Sequence, residues 1–207
     1  FYGVVQITGD FDPGGLLPRV IQGKRMTFDG IIAYVTDDKT RSVLSRSKCP
    51  TVLIEDLNEP GHPIAGKNIL TLICDHFAEG KAAATHFLDL RFSNFAYVGP
   101  THPTPWADIR QRGFSETVAA KGFGCAVYPR PSKAARDNFA LEIEHMATWF
   151  KTLPKPCAVF AYRDTRARQC LYAAKTIGIP VPESLAILGI DNDEITCTTT
   201  RPALSSV

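Results

Sequence analysis

The 207-residue sequence contains no apolar run of about eighteen residues, the length that a helix needs to cross a membrane. It also lacks a strong charge of either sign, because its formal net charge is +2. A nearly neutral chain does not have the basic surface with which proteins hold nucleic acid phosphates. These absences predict no contact with a membrane, and they place any DNA contact outside these residues.

Motifs of the common enzyme classes are also missing. The sequence has no G-x-x-x-x-G-K-S/T phosphate loop, no G-x-S-x-G nucleophile turn and no H-E-x-x-H zinc helix. The five histidines are scattered along the chain. We therefore predict that the chain is not an enzyme and needs no cofactor or metal. The alternative is an enzyme that uses Asp191 and Asp193 as metal-binding or phosphoryl-transfer carboxylates.

The six cysteines do not form a C-x-x-C pair, and most of them stand among apolar neighbours. This pattern favours buried free thiols in a reducing cytoplasm. A set of disulfides or a zinc site is the alternative. The cysteines are Cys49, Cys74, Cys125, Cys157, Cys170 and Cys197.

Short apolar runs alternate along the chain with amphipathic segments, which predicts an α/β fold. Several runs are apolar on both faces, as strands of a parallel sheet must be when helices cover both sides. Strands are predicted at 3–7, 30–35, 51–55, 69–73, 94–99, 124–128, 157–162 and 185–190, and helices at 79–91, 107–122, 138–153 and 165–178. Strand followed by helix, repeated, indicates βαβ units.

A proline-rich stretch, VGPTHPTPW at 98–106, can be neither a helix nor a central strand. We interpret it as a boundary between a first lobe, residues 1–99, and a second lobe, residues 100–207. Two α/β lobes would leave a cleft between them, and open α/β sheets bind ligands beyond the carboxyl ends of their strands.

Polar side chains follow four predicted strands at the point where each strand ends. The alternatives are structural: Asp75 and Asp164 could cap helices, Trp106 could be a core aromatic, and Arg110 could lie on a solvated helix face. Together, however, the side chains fit a sugar. Carboxylates accept hydrogen bonds from its hydroxyls, arginine and asparagine donate to them, and an indole stacks on the ring. The residues are Asp75, Trp106, Arg110, Arg163, Asp164 and Asp191.

At this point the sequence resembles a known family. The segments that carry the resemblance are DHFAEGKAAATHFLDLRFSNFAYVG, WADIRQRGF, VFAYRDTRARQ, IPVPESLAILGIDNDEI and PALSSV. They are similar to the effector-binding domain of LacI/GalR-type regulators. The D-x-R-x-R-Q and G-I-D-N-D motifs within them most resemble the xylose-operon regulator branch. The resemblance covers residues from about 28 to 207. It implies a type 1 periplasmic-binding-protein fold whose two lobes close over a small ligand.

The resemblance also implies roles for residues of this chain. Asp191, in G-I-D-N, and Arg110 correspond to positions that contact sugar hydroxyls. Asp164 corresponds to another contact, but this chain has Arg163 where many relatives have asparagine. Trp106 corresponds to a loop aromatic. Asp75 corresponds to the aspartate that begins an interlobe helix, where it could serve as a cap.

We therefore expect the sensor domain of a bacterial sugar-responsive transcriptional regulator. The expected effector is a monosaccharide, xylose or a related pentose. The resemblance further implies a homodimer, a first lobe that is truncated before Phe1, and DNA binding through a helix-turn-helix domain absent from this chain. A periplasmic sugar-binding protein of a transport system is the alternative.

Overall fold

The computed structural model describes residues 30–34, 44–45, 49–54 and 68–207. These residues fall into two compact units that divide between Cys74 and Asp75. The strand predicted at 3–7 lies outside the described residues.

In the described part of the first unit, three short strands form a parallel sheet in the order β1-β2-β3. They are β1 (Ile31–Tyr34), β2 (Thr51–Ile54) and β3 (Ile69–Leu72). Each lies within a predicted strand, because its β-branched and aliphatic residues favour extended backbone.

The second unit contains a five-stranded parallel sheet in the order β5-β4-β6-β7-β8. Its strands are β4 (Phe95–Val98), β5 (Cys125–Val127), β6 (Cys157–Ala161), β7 (Leu185–Gly189) and β8 (Ser205–Ser206). Its helices are α1 (His76–Asp89), α2 (Pro105–Ala119), α3 (Lys133–Arg136), α4 (Phe139–Thr152), α5 (Asp164–Thr176) and α6 (Glu194–Thr199).

Alternating side chains of the central strands build a core on each face of this sheet. Val159 and Ile187 belong to the core that α4 and α5 cover, whereas Phe160 and Leu188 belong to the core that α1 and α2 cover. Strand residues point to opposite faces in turn, so a central strand covered on both sides is apolar throughout. This explains why β6 is buried along its whole length.

The division between the units differs from the predicted boundary at 99/100. The chain divides after Cys74, so α1 and β4 belong to the second unit. The physical reason is that β4 is hydrogen-bonded between β5 and β6. The proline-rich stretch is a loop inside the second unit, connecting β4 to α2.

Helices α1 and α2 approach each other closely at two glycines. A Cβ atom on Gly80 would lie 2.1 Å from the Arg110 carbonyl oxygen, and one on Gly113 would lie 2.2 Å from the Phe77 carbonyl oxygen. Only glycine lets the two backbones come this near. The crossing fixes the first turn of α1 against Arg110 of α2.

Candidate functional site at the strand ends of the second unit

The carboxyl ends of β6 and β7 bring most of the predicted site residues together. Arg163 and Asp164 follow β6, Asp191 follows β7, and α2 supplies Trp106 and Arg110. Parallel strands all end at one edge of the sheet, so residues that are far apart in sequence meet there.

Asp191 lies between two arginines. Its Oδ1 is 3.7 Å from an Nη of Arg110, and its Oδ2 is 3.4 Å from Nε of Arg163. Both distances are within the range of an ion pair, yet neither contact is a hydrogen bond by distance and angle. The Asp191 side chain is 38% exposed, so this carboxylate is a half-open acceptor.

Trp106 forms the apolar part of the cluster. The guanidinium carbon of Arg110 lies 4.6 Å from the ring centroid and that of Arg163 lies 5.4 Å from it, both within cation–π range. His76 and Tyr162 lie at centroid distances of 5.6 Å. Trp106 thus contacts both arginines that flank Asp191.

Arg110 is buried and held firmly. Its Nε donates to Glu79 Oε2 at 2.6 Å, and one Nη donates to the Tyr162 carbonyl at 2.7 Å. Glu79 Oε2 also lies 2.8 Å from His76 Nδ1. Burial raises the pKa of Glu79, but the hydrogen bonds and charges of His76 and Arg110 together lower it by more, so the pKa lies below its ordinary value. Glu79 therefore stays ionised and fixes the Arg110 guanidinium in place.

Asp191 has an unusual backbone as well as an unusual environment. Its φ angle is +105° and that of Asn192 is +48°, a region that residues other than glycine rarely adopt. Burial raises the pKa of the Asp191 carboxyl, and Asp164 and Glu79 add to this rise while Arg110 and Arg163 oppose it. Strained backbone at an incompletely paired carboxylate is typical of functional positions.

Asp164 is buried beside the turn that carries Asp191. It is 1% exposed, and both carboxylate oxygens already accept hydrogen bonds. Ser206 Oγ donates to Oδ1 at 2.7 Å, and the Asp193 amide donates to Oδ2 at 2.8 Å. Arg163, not Asp164, is the N-cap residue of α5, because the Asp164 carboxylate is bonded to the chain after β7 instead. Asp164 thereby ties α5 to the turn that carries Asp191.

Two other acidic residues cap helices. Asp75 Oδ1 accepts from the Ala78 amide at 2.9 Å at the start of α1, and Asp193 Oδ1 accepts from the Thr196 amide at 2.6 Å at the start of α6. Asp193 is thus the N-cap residue of α6. For Asp75 the structure shows the cap, and a ligand contact stays a prediction.

No role in the site was predicted for Glu79, His76, Tyr162 or Ser206. Glu79 and Arg110 are 31 positions apart, and no spacing rule connects them. Only Glu79 could have been anticipated, because an arginine that is buried, such as Arg110, requires an acidic partner. The histidine and the tyrosine enter the cluster through helix packing and a backbone carbonyl, which leave no local pattern.

Other site classes find little support in the described residues. GHPIAGKN, 61–68, has the glycines and lysine of a phosphate loop but Asn68 where a hydroxyl is needed, and β3 rather than a helix follows it. Among the described residues, no helix is long and apolar enough to cross a membrane. Cys157, Cys170 and Cys197 are buried thiols without a disulfide, and burial raises the pKa of Cys170 to about 12.

Comparison with known proteins places this chain in a family. The model of the periplasmic binding protein-like domain matches residues 84–207. The xylose operon regulatory protein of Escherichia coli (strain K12) is 31% identical in an alignment of 197 positions that covers 91% of this chain and 48% of that protein. The chain thus spans about half the length of the curated relatives it matches.

Solved structures agree with the sequence relatives. A xylose-binding transcription activator has a TM-score of 0.76 at 25% identity, over 99% of this chain and 58% of that chain. A LacI family transcriptional regulator from Mycobacterium smegmatis has a TM-score of 0.64 at 25% identity, over 93% and 67%. The predicted α/β fold class and the predicted resemblance are confirmed. The chain belongs to the periplasmic binding protein-like domain family, and its relatives are LacI-family transcriptional regulators that include the xylose operon regulators.

Proposed function

We propose that this chain is the ligand-sensing domain of a bacterial sugar-responsive transcriptional regulator. The effector is a monosaccharide that binds at the carboxyl ends of β6 and β7. The observation that carries the proposal is the half-open Asp191 carboxylate between Arg110 and Arg163 beside Trp106.

These groups match the chemistry of a sugar. A sugar hydroxyl beside these groups can donate to Asp191 and accept from either guanidinium, because the contacts of 3.4 and 3.7 Å leave hydrogen-bonding capacity unused on both sides. The indole of Trp106 offers an apolar surface to the C–H face of a sugar ring. Fixed donors and acceptors of this kind discriminate strongly between analogues that differ in one hydroxyl.

Xylose or a related pentose is the effector that the relatives suggest. The Escherichia coli relative is a regulatory protein of the xylose operon, and the activator of known structure is xylose-binding. Transfer of this specificity to the present chain is part of the proposal. That the sugar lies between the two lobes also stays a prediction.

The sugar would regulate by population shift. A ligand changes the balance between two conformations only through its different affinity for each of them. In the proposed regulator, binding changes the balance between open and closed lobes and thereby the DNA affinity of an attached helix-turn-helix domain. The regulator would act in the cytoplasm as a homodimer.

Isothermal titration calorimetry against a panel of pentoses and hexoses tests the proposal. We expect one pentose to bind at micromolar to millimolar concentration, and Asp191→Ala to remove this binding. The exposed Glu144→Ala, on the outer side of α4, is the matched acidic control and should bind as the wild type does. Absence of binding by every monosaccharide at millimolar concentration would contradict the function.

A periplasmic sugar-binding protein is the second candidate, because the matching family model carries the name of periplasmic proteins. Both candidates predict sugar binding, so calorimetry does not separate them. A DNA-binding assay on the full-length protein does, since only the regulator releases or binds an operator in response to the sugar.

A further inference from the structure

Arg163 is the arginine of the site whose guanidinium donates no hydrogen bond within the described part of the protein. Its guanidinium carries five N–H donors, yet it makes no hydrogen bond to any described residue. Its Nε atom is buried without a hydrogen-bond partner, and the 3.4 Å contact with Asp191 does not meet hydrogen-bond geometry. Buried donors in native proteins are nearly always satisfied, so this one requires an explanation.

Arg110 provides the contrast within the same cluster. Glu79 and the Tyr162 carbonyl already accept from its guanidinium, at 2.6 and 2.7 Å. Arg110 is therefore a buried and fixed group, whereas the side chain of Arg163 is 42% exposed and has its terminal nitrogens available. Both arginines contact the ring of Trp106, but Arg163 keeps more of its N–H donors available for a ligand than Arg110 does.

The donors of Arg163 outnumber what a neutral sugar hydroxyl needs. A hydroxyl is one donor and an acceptor, while a carboxylate is an acceptor only and matches the guanidinium fork with two parallel bonds. Arg163 is also the N-cap of the thirteen-residue helix α5. The positive end of that helix dipole offsets the negative charge that a ligand carboxylate would add beside Asp191.

We propose that Arg163 selects an acidic sugar, a uronic acid whose carboxylate pairs with its guanidinium while a ring hydroxyl meets Asp191. The proposal rests on the sugar-sensing function above and changes the preferred effector from a neutral pentose to an acidic sugar. It is compatible with a xylose-like ring, because D-glucuronate has the ring hydroxyl configuration of D-xylopyranose and carries a carboxylate on C5.

Three sugars that differ only at C5 provide the test. D-xylose has hydrogen there, D-glucose a hydroxymethyl group and D-glucuronate a carboxylate. Calorimetry should show D-glucuronate binding about 10- to 100-fold more tightly than D-xylose, as charge-assisted bonds allow. The advantage should shrink as salt is raised, because a half-exposed ion pair is screened.

Variants assign the selectivity to the residue. Arg163→Gln should abolish the advantage of D-glucuronate, and Arg163→Lys should keep part of it, since lysine keeps the charge but not the fork. Arg168→Gln, an exposed arginine on the same helix, is the matched control and should keep the full advantage. Thermal unfolding of each variant verifies that it is folded.

The outcomes separate this proposal from the function on which it rests. If D-xylose binds as tightly as D-glucuronate, or Arg163→Gln retains the preference, the acidic-sugar proposal is overturned and the sugar sensor stands. If no monosaccharide of the pentose and hexose panel binds, D-glucuronate included, the sensor function fails and the inference fails with it.

Discussion

Two arginine–carboxylate clusters in the second unit share one chemistry but differ in every geometric respect. Arg166 and Glu142 join α5 to α4 at 2.5 Å, and their side chains are 3% and 5% exposed. Arg166 also donates to the Gly99 carbonyl and to Gln169, so its donors are used within the protein. Asp191, by contrast, stands between Arg110 and Arg163 at distances longer than a hydrogen bond.

The difference indicates what each cluster is for. A fully paired and buried cluster fixes the packing of two helices, because any movement would leave a charge without its partner. A half-exposed cluster whose charges are not hydrogen-bonded to one another keeps donors and acceptors available for the hydroxyls of another molecule. The second cluster is therefore the binding site of the proposal, and the first belongs to its scaffold.

The largest expected effect is on the buried cluster. Glu142→Ala leaves the charge of Arg166 buried without a carboxylate, and we expect the free energy of unfolding to fall by about 3–5 kcal/mol. Chemical denaturation measures this loss. The control is Glu144→Ala, on the exposed side of the same helix, which should stay within about 0.5 kcal/mol of the wild type. A loss no greater than that of the control would remove the contrast between the clusters.

Asp191→Asn should weaken sugar binding by about 10- to 100-fold, the value of charge-assisted hydrogen bonds. The same substitution should stabilise the folded protein at neutral pH. Because the pKa of Asp191 is raised in the folded protein above its ordinary value of 3.8, the carboxyl stabilises the fold when protonated and loses this contribution as the pH rises through the folded pKa.

The asparagine variant does not titrate, so its stability relative to the wild type should increase as the pH rises from about 4 and level off above the folded pKa. Thermal unfolding of both proteins across this pH range measures the difference. A variant that is less stable than the wild type at neutral pH, and increasingly so as the pH rises, would mean that the two arginines outweigh burial and that Asp191 is a structural partner.

Gly113→Ala should lower both the stability of the protein and its affinity for sugar. Its Cβ atom would overlap the Phe77 carbonyl, so α1 and α2 must separate, and overpacking of this kind costs about 1–3 kcal/mol of stability. Separation moves Glu79 from Arg110, so sugar affinity should fall as well. Gly124→Ala is the control, because a Cβ atom there meets nothing within 4 Å. Unchanged affinity in a destabilised Gly113→Ala protein would show that Arg110 does not depend on the crossing.

The smallest expected effect separates a cap from a ligand contact. Asp75→Ala should cost about 1 kcal/mol through loss of the hydrogen bond to the Ala78 amide. If Asp75 only caps α1, sugar affinity should be nearly unchanged, whereas the predicted ligand contact requires the affinity to fall as well. Asn138→Ala, which removes the equivalent cap of α4, is the matched control for stability. A large loss of affinity in the Asp75 variant alone would place Asp75 in the site with Asp191.

Much of the second unit could be predicted from the sequence because its signals are local. The apolar runs at β6 and β7 identified central strands, and the residues after them identified the edge of the sheet where the candidate site lies. Three short elements were missed: α3, α6 and β8 have six residues or fewer and too little periodicity to be recognised. The proline-rich stretch, on which the predicted division at 99/100 rests, is a loop between β4 and α2, and prolines break an element whether or not a domain ends there.

The sequence by itself determined the fold class, the family and the edge of the sheet at which Trp106, Arg110, Arg163 and Asp191 meet. Hydrophobic patterns and motifs are properties of neighbouring residues, so a single chain displays them directly. Only the tertiary structure decided which acid serves which purpose. Asp164 accepts hydrogen bonds from Ser206 and the Asp193 amide, and Glu79 accepts one from Arg110 across two helices. Of these three acids, Asp191 is the one whose carboxylate is half-exposed and pairs with its arginines only at longer distances. These roles follow from contacts between distant segments, which exist only after the glycine crossing of α1 and α2 and the parallel pairing of β4, β6 and β7 have formed.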